Sequence, residues 1–308
     1  MKQGMDQQAG KGQGWVFIGS IVGAVLLGTL IAPHVFNGLL ALGRANPGLS
    51  ALRNLEFDSV VGRCVILCLV LSLYPAIRVT GMRNLSAFGF VRDGRGRQDW
   101  WRGVWMGALS LILVVLIGYL MGAYVVHVDD KIKDLGKIVT VIVGAILVGF
   151  FEEALFRGLL FGGLRKSMRF WPAAVISSLL FMLVHFARPV PPIMPVYGEW
   201  NSGLGMLKHM FYTGHSLDNY FPFMLTLFLM GLVLCLTYVR RGSILMAVGL
   251  HTGWVLIIRF AGYLFNRDKE QWPLLFSDGE VISQTYLTLL VAVVFLICFV
   301  RSPAPKSA

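Results

Sequence analysis

The chain has 308 residues, 56% of them hydrophobic, with 27 Lys and Arg against 16 Asp and Glu. A soluble protein of this length carries about 77 charged residues, so this chain has too few to be a soluble globular protein. It is also too hydrophobic for a disordered protein, and its four cysteines are too few for a disulfide scaffold. The composition therefore predicts a polytopic membrane protein.

Eight apolar runs are long enough to form membrane-spanning helices, which need about 20 residues. In chain order these runs are Trp15–Phe36, Val60–Ile77, Val104–Val126, Ile138–Phe161, Trp171–Phe186, Phe221–Val239, Ser243–Phe265 and Val281–Val300. The predicted fold is all-α, with about eight transmembrane helices and a core helical bundle around an intramembrane cavity. We expect three regions: three spans and a basic cytoplasmic loop in 1–137, four core spans in 138–265, and an outer loop, last span and tail in 266–308.

The net charge of +11 would suggest nucleic-acid binding in a soluble chain. In a membrane protein, however, Lys and Arg collect in cytoplasmic loops. If the N-terminus is cytoplasmic, the inner loops hold most of the Lys and Arg and few acids, whereas the outer loops hold most of the acids. We therefore expect a multi-pass protein of the plasma (inner) membrane with both termini in the cytoplasm, in contact with the lipid bilayer and with no nucleic-acid partner. The sequence gives no oligomeric state.

Two acids, Glu152 and Glu153, lie inside a predicted span, whereas every other acid lies in a predicted loop or tail. An ionisable group near the bilayer centre costs about 2.5–3.5 kcal/mol on insertion scales, so an adjacent pair of carboxylates indicates a functional site. Three basic residues, Arg63, Arg157 and Arg259, also lie in spans. We expect mainly structural roles for Arg63 and Arg259, because both lie nearer to span ends or can extend towards the interface.

The fourth span ends in the segment FFEEALFRGLLFG, which carries Glu152, Glu153 and Arg157. Glu153 and Arg157 are four residues apart, so they share a helix face in the order that favours an ion pair. Glu152 points about 100° away from Glu153 on an α-helix of 3.6 residues per turn. One carboxylate is therefore predicted to pair with the arginine while the other stays available for chemistry.

Two histidines occupy later spans: His185, one helical turn after Phe181, and His251 in the segment GLHTGW. A carboxylate and imidazoles within the membrane suit the activation of water, because the carboxylate can act as a general base and a histidine can donate to an oxyanion. Two Glu and two His side chains can also bind a divalent metal, but no HExxH motif is present, and we assign no metal or other cofactor. A proton-coupled transporter is a further alternative that would use the same buried acids.

The segments EExxxR at Glu152–Arg157 and FxxxH at Phe181–His185, followed by His251, resemble the CPBP family of glutamate-dependent intramembrane proteases, which groups CAAX prenyl endopeptidases with bacteriocin-processing enzymes. The resemblance covers about residues 138–265. It implies an endopeptidase that hydrolyses a membrane-associated protein or peptide. Glu152 would activate water, His185 would position it and His251 would stabilise the oxyanion, with Glu153, Arg157 and Phe181 in supporting roles.

The sequence departs from the family pattern at Val255, where a polar residue usually follows the histidine by four positions. The loss of one oxyanion donor can cost about 10²–10³ in rate. A non-catalytic relative with an immunity or scaffold role therefore stays an alternative to the protease.

Overall fold

The computed structural model describes residues 12–82, 84–90, 94–186, 202–210, 217–268, 270–272, 275 and 285–301. Its α-helices, in chain order, are α1 (Gln13–Ala45), α2 (Phe57–Thr80), α3 (Gly96–Leu120), α4 (Leu135–Glu153), α5 (Gly162–Arg165), α6 (Phe170–Phe186), α7 (Ser202–Met210), α8 (Leu217–Arg241), α9 (Leu245–Leu264) and α10 (Tyr286–Arg301). The remaining elements are three 3₁₀ helices at Pro47–Asn54, Leu85–Phe88 and Asp130–Lys133, a π-helix at Ala154–Phe161, and two strands, β1 (Tyr124–Val126) and β2 (Phe265–Arg267).

The prediction of an all-α polytopic membrane protein is confirmed, since a helix occupies each of the eight predicted spans. Six of the described helical segments are long and apolar enough to cross a membrane by length and composition. Two shorter apolar helices, Phe170–His185 and Tyr286–Arg301, correspond to the fifth and eighth predicted spans. The chain is therefore an integral membrane protein.

The third predicted span is too long at its C-terminal end. Helix α3 ends at Leu120, and Gly122 adopts a φ of 75°, a left-handed conformation that glycine reaches without a steric penalty. The chain then reverses into β1, which pairs antiparallel with β2. The apolar residues of β1 are consistent with either a span or a strand, so hydropathy alone did not reveal the turn.

The helix predicted for the fourth span is also not uniform. Its first part is the α-helix α4, but Ala154–Phe161 forms a π-helix before α5 completes the segment. A π-helix bonds residue i to i+5 and is frequent at functional sites. The change of helix type begins directly after Glu153.

The chain forms two compact units. The first unit contains Met1–Arg83 and Leu183–His215, and the second contains Asn84–Met182 and Ser216–Ala308. The three-region division expected from the sequence stays a prediction.

In the first unit, α1 and α2 pack side by side. Gln13 Nε2 donates to the Thr80 carbonyl at 2.7 Å, which joins the start of α1 to the end of α2. Further along, a Cβ added to Gly28 would lie 2.6 Å from the Val65 Cα, so the backbones touch at that point. Small residues at helix contacts allow this close approach in membranes.

In the second unit, α9 is the central helix and packs most extensively on α3. The contact is formed by two pairs of glycines, Gly103 and Gly107 on α3 and Gly249 and Gly253 on α9. A Cβ on any of the four would collide with a backbone carbonyl of the facing helix. The two helices run in the same direction, since Gly103 faces Met246 and Gly107 faces Leu250.

The strands β1 and β2 join the C-terminal ends of α3 and α9. Tyr124 is opposite Arg267 in this two-stranded sheet, and Arg267 Nη1 also donates to the Ala123 carbonyl at 3.1 Å. Trp272 Nε1 donates to the Met121 carbonyl at 2.8 Å. These bonds hold the ends of the two helices together.

The helices begin earlier than the apolar runs, which corrects the position of two acids. Asp58 lies in the first turn of α2 and Asp99 in the first turn of α3, rather than in loops. A carboxylate is favourable there because it faces the positive end of the helix dipole. Asp99 is 3% exposed, and its Oδ1 lies 3.7 Å from Arg241 Nη1.

Candidate active site

The two adjacent glutamates at the end of α4 differ in their exposure. The Glu153 side chain is 0% exposed, whereas the Glu152 side chain is 30% exposed. Because consecutive residues on a helix point about 100° apart, one carboxylate faces the protein interior and the other reaches its edge. The pair therefore places one sealed and one accessible carboxylate at the start of the π-helix.

Glu153 accepts hydrogen bonds from two side chains at the same oxygen. Arg157 Nη1 donates to Glu153 Oε1 at 2.9 Å, and His251 Nδ1 lies 2.9 Å from that oxygen. Arg157 is also 0% exposed and His251 is 6% exposed. The ion pair expected from the spacing of Glu153 and Arg157 is present, and the structure adds His251 to it.

The other ring nitrogen of His251 faces Glu152. The distance from His251 Nε2 to Glu152 Oε2 is 3.8 Å. The imidazole thus lies between two carboxylates, close to Glu153 through Nδ1 and further from Glu152 through Nε2. A carboxylate only accepts, so Glu153 fixes the orientation of the ring and places a proton on Nδ1.

Aromatic rings surround the guanidinium of Arg157. Its Cζ lies 4.3 Å from the centre of the Phe181 ring and 5.9 Å from that of Phe156. The Phe181 ring also meets the His251 ring edge to face, with centroids 5.9 Å apart. Phe181 therefore contacts both partners of Glu153, through a cation–π interaction with one and an aromatic contact with the other.

The glycine at position 149 explains how α4 and α9 come close enough for these contacts. A Cβ on Gly149 would lie 2.7 Å from Thr252 Oγ1 and 3.2 Å from the Thr252 nitrogen. Gly149 is one helical turn before Glu153, and Thr252 follows His251. The absence of a side chain at Gly149 thus allows the contact between Glu153 and His251.

The π-helix is supported by α6 and α8. Ser177 Oγ donates to the Phe156 carbonyl at 3.1 Å, and Arg157 Nη2 donates to the Gly231 carbonyl at 3.4 Å. Gly231 lies outside every motif found in the sequence. A glycine in the interior of a predicted span is a weak signal for it, because glycine disfavours helices unless close packing requires it.

His185 lies at the C-terminal end of α6, four residues after Phe181, and is half-buried. It belongs to the first compact unit, whereas the other candidate residues belong to the second. Its role in positioning water therefore stays a prediction from the sequence.

The remaining span residues have more peripheral positions. The side chains of Arg63 on α2 and Arg259 on α9 are exposed, as suits residues that extend towards the interface. Val255, one turn after His251, is half-buried. Within the described ranges, no group of three or more His, Cys, Asp or Glu side chains is arranged to hold a metal ion, and metal assistance is still open.

Comparison with family models identifies the part of the chain that contains this cluster. Residues 134–257 match the family described as type II CAAX prenyl endopeptidase Rce1-like. This region is similar to an Rce1-like domain. The match agrees with the resemblance to CPBP intramembrane proteases, and the family is one of proteases. No curated protein and no solved structure matched the chain.

The matched region begins at α4 and ends within α9, so it contains all six candidate residues: Glu152, Glu153, Arg157, Phe181, His185 and His251. The glycines that hold α9 in place are only partly inside it, since Gly149, Gly249 and Gly253 lie within the matched residues but Gly103 and Gly107 on α3 do not. Helix α3, which lies before the matched residues, thus contributes to the packing of the matched region.

Proposed function

We propose that this protein is an intramembrane endopeptidase that hydrolyses a peptide bond in a membrane-associated protein or peptide, with Glu152 as the general base. The observation that supports this most directly is the unequal environment of the two glutamates. Glu153 is sealed by Arg157 and His251, whereas Glu152 is 30% exposed and lies 3.8 Å from His251 Nε2. Glu152 can therefore reach a water molecule, and Glu153 cannot.

The reaction follows from this arrangement. Glu152 removes a proton from water as the oxygen attacks the scissile carbonyl carbon, which gives a tetrahedral intermediate with a negative oxygen. With a proton on both ring nitrogens, His251 donates to Glu153 through Nδ1 and to that oxygen through Nε2, which stabilises the negative charge. Glu152 then returns the proton to the leaving nitrogen as the C–N bond breaks, so one water yields a new carboxyl and a new amino terminus. His185 is assigned the positioning of the water.

Glu153 and Arg157 have an electrostatic role in this proposal. Their opposite charges cancel where both side chains are fully buried, and Glu153 orients His251 in the same way that a carboxylate orients the histidine of a hydrolytic triad. Phe181 supports both partners from one side. Removal of any one of the three is expected to disturb the position of His251.

The substrate class suggested by the Rce1-like family is a protein with a prenylated C-terminal CAAX sequence. A bacteriocin leader and a C-terminal sorting tag are the other substrates that the CPBP resemblance allows. All three place the scissile bond of a peptide at the membrane, which suits a catalytic glutamate in a membrane-spanning helix.

The first prediction concerns Glu152→Gln, which removes the base but keeps the size of the side chain. We expect the variant to fold and to lose cleavage of a farnesylated CAAX peptide in proteoliposomes, measured by mass spectrometry of the products. Glu270→Gln is the matched control, since Glu270 is exposed outside the spans, and it should cleave at the wild-type rate. Retained cleavage by Glu152→Gln would overturn the assignment of the base.

If the wild type leaves the CAAX peptide intact, a wider test is to identify the termini of all proteins in whole membranes by mass spectrometry. Membranes with wild-type protein should contain at least one protein terminus that is missing from membranes with Glu152→Gln.

Val255 supports a second candidate, a non-catalytic relative that protects or scaffolds another membrane protein. An apolar side chain one turn after His251 cannot supply a second oxyanion donor. In this case Glu152→Gln would leave the termini of all membrane proteins, and the cellular phenotype, unchanged.

A further inference from the structure

We propose that Gly231 on α8 is a positioning residue of this site, which places Arg157 and Phe181 and, through them, His251. The proposal rests on the proposed function for its link to catalysis. Gly231 lies in the interior of the 25-residue helix α8 and outside the motifs that carry Glu152, His185 and His251. Two independent contacts of this one residue support the inference.

The first contact is made by the carbonyl of Gly231. Arg157 Nη2 donates to this oxygen at 3.4 Å, while Nη1 of the same guanidinium donates to Glu153 Oε1 at 2.9 Å. The arginine therefore joins α8 to the end of α4. The thiol of Cys235, one turn further along α8 and fully buried, also lies beside Arg157. A movement of this face of α8 changes the position of the guanidinium.

The second contact is made possible by the missing side chain. A Cβ on Gly231 would lie 2.8 Å from both Cβ and Oγ of Ser178 and 3.1 Å from its Cα. Ser178 is fully buried on α6, and its Cβ and Cα are fixed by the helix backbone, so they cannot swing away as the end of a long side chain could. Any larger residue at 231 must push α6 and α8 apart.

A shift of α6 acts on the site because Ser178 is three residues before Phe181, on the same side of the helix. The Phe181 ring lies 4.3 Å from the Arg157 guanidinium and 5.9 Å from the His251 ring. Gly231 thus acts on Arg157 through its carbonyl, and on Phe181 through its lack of a side chain. Misplacement of catalytic groups by about 1 Å can lower a rate by about 10²-fold.

The test compares Gly231→Ala with Gly144→Ala. Gly144 is in the interior of α4, and a Cβ there meets no described atom within 4 Å, so this control adds the same methyl group without a collision. We expect Gly231→Ala to lower kcat on the CAAX peptide roughly ten- to a hundredfold with little change in KM, and Gly144→Ala to match the wild type. Equal kcat in the two variants would overturn the proposal.

A spectroscopic measurement separates this proposal from the proposed function. In protein labelled with ¹³C-histidine, the His251 ring resonances can be assigned by their loss in His251→Asn. Gly231→Ala should shift them and Gly144→Ala should not, whether or not the peptide is a substrate. If the wild type cleaves nothing but the shift is present, the proposed function fails and the positioning role stands. If the resonances are unmoved, the positioning role fails.

Compensation provides the last part of the test. The double variant Gly231→Ala, Ser178→Gly removes the Cβ and Oγ that the new methyl group would meet, so it should recover the wild-type kcat and His251 resonances. A double variant that stays as impaired as Gly231→Ala would contradict the collision argument. If Gly231→Ala does not fold, Ser178→Thr adds a methyl group at the same contact from α6 and should give the same shift; an unmoved His251 resonance in that variant would overturn the proposal.

Discussion

At the scale of single residues, Glu153 is the centre of the charge network. One of its oxygens accepts from both Arg157 and His251 at 2.9 Å, and neither Glu153 nor Arg157 is exposed. A buried ion pair gives little net stability compared with apolar residues, but the loss of one partner leaves an uncompensated buried charge that costs about 3–5 kcal/mol. The network is therefore sensitive to single substitutions.

Glu153→Gln and Arg157→Met should each lower the midpoint of thermal unfolding in detergent. The first leaves the Arg157 charge buried without its carboxylate, and the second leaves the buried Glu153 carboxylate with His251 but without the guanidinium. The double variant has no unpaired charge from this pair, so it should melt at a higher temperature than at least one single variant. Melting of both single variants at the wild-type temperature would show that the ion pair does not contribute to stability.

The sequence predicts part of this network. The four-residue spacing within one helix is enough to pair Glu153 with Arg157, but the contact of His251 with Glu153 joins residues that are 98 positions apart. That contact depends on the rotation of α9 and on its distance from α4, which Gly149 sets. Hydropathy and spacing along one helix carry no information about either quantity.

At the scale of elements, α9 is held between α3 and α4 by direct backbone contacts. Gly103 and Gly107 of α3 face Met246 and Leu250, which lie shortly before His251 on α9. Gly149 of α4 faces Thr252, which follows His251. Because backbones are less adaptable than long side chains, this packing fixes the height and rotation of the histidine. The residues that set the position of α9 in the site are thus glycines, which have no reactive side chain.

Gly107→Ala tests this packing, since its Cβ would collide with the Leu250 carbonyl. Overpacking of a tight contact typically costs about 1–3 kcal/mol, so the variant should unfold at a lower temperature than the wild type. Gly262→Ala on α9 is the control, because a Cβ there meets nothing within 4 Å among the described atoms. Identical melting of the two variants would argue against a close contact of α3 and α9.

Two elements escaped prediction for different reasons. The residues of β1 are as apolar as the span before them, so the end of α3 depends on a turn at Gly122 rather than on composition. The π-helix at Ala154–Phe161 has the same apolar residues as an α-helix, and its hydrogen bonds shift by one position without a signal in the hydropathy pattern.

At the scale of the whole molecule, the basic charge is best explained by membrane topology. The excess of Lys and Arg is concentrated in the loops that we predict to be cytoplasmic, as the positive-inside rule requires. In the second unit, α3 and α9 run in the same direction and their C-terminal ends are joined by β1 and β2. Both ends must therefore emerge on the same side of the membrane.

The predicted topology can be tested with single cysteines at two exposed positions, Lys131 before α4 and Lys166 after α5. The exposed Cys298 is first replaced by Ser, while the buried Cys64, Cys68 and Cys235 stay in place. A membrane-impermeant maleimide should label Lys131→Cys in intact cells and Lys166→Cys after permeabilisation. Labelling in the reverse order would place both termini outside.

The parallel pairing of α3 with α9 has a consequence for biosynthesis. Gly103 and its partner Gly249 are separated by about 150 residues of chain, which a ribosome adds in roughly 7 to 30 seconds at 5–20 residues per second. During that interval the glycine face of α3 has no α9 to pack against, and Glu153 enters the membrane before His251 has been synthesised. A nascent chain thus carries an incomplete site until His251 has been synthesised.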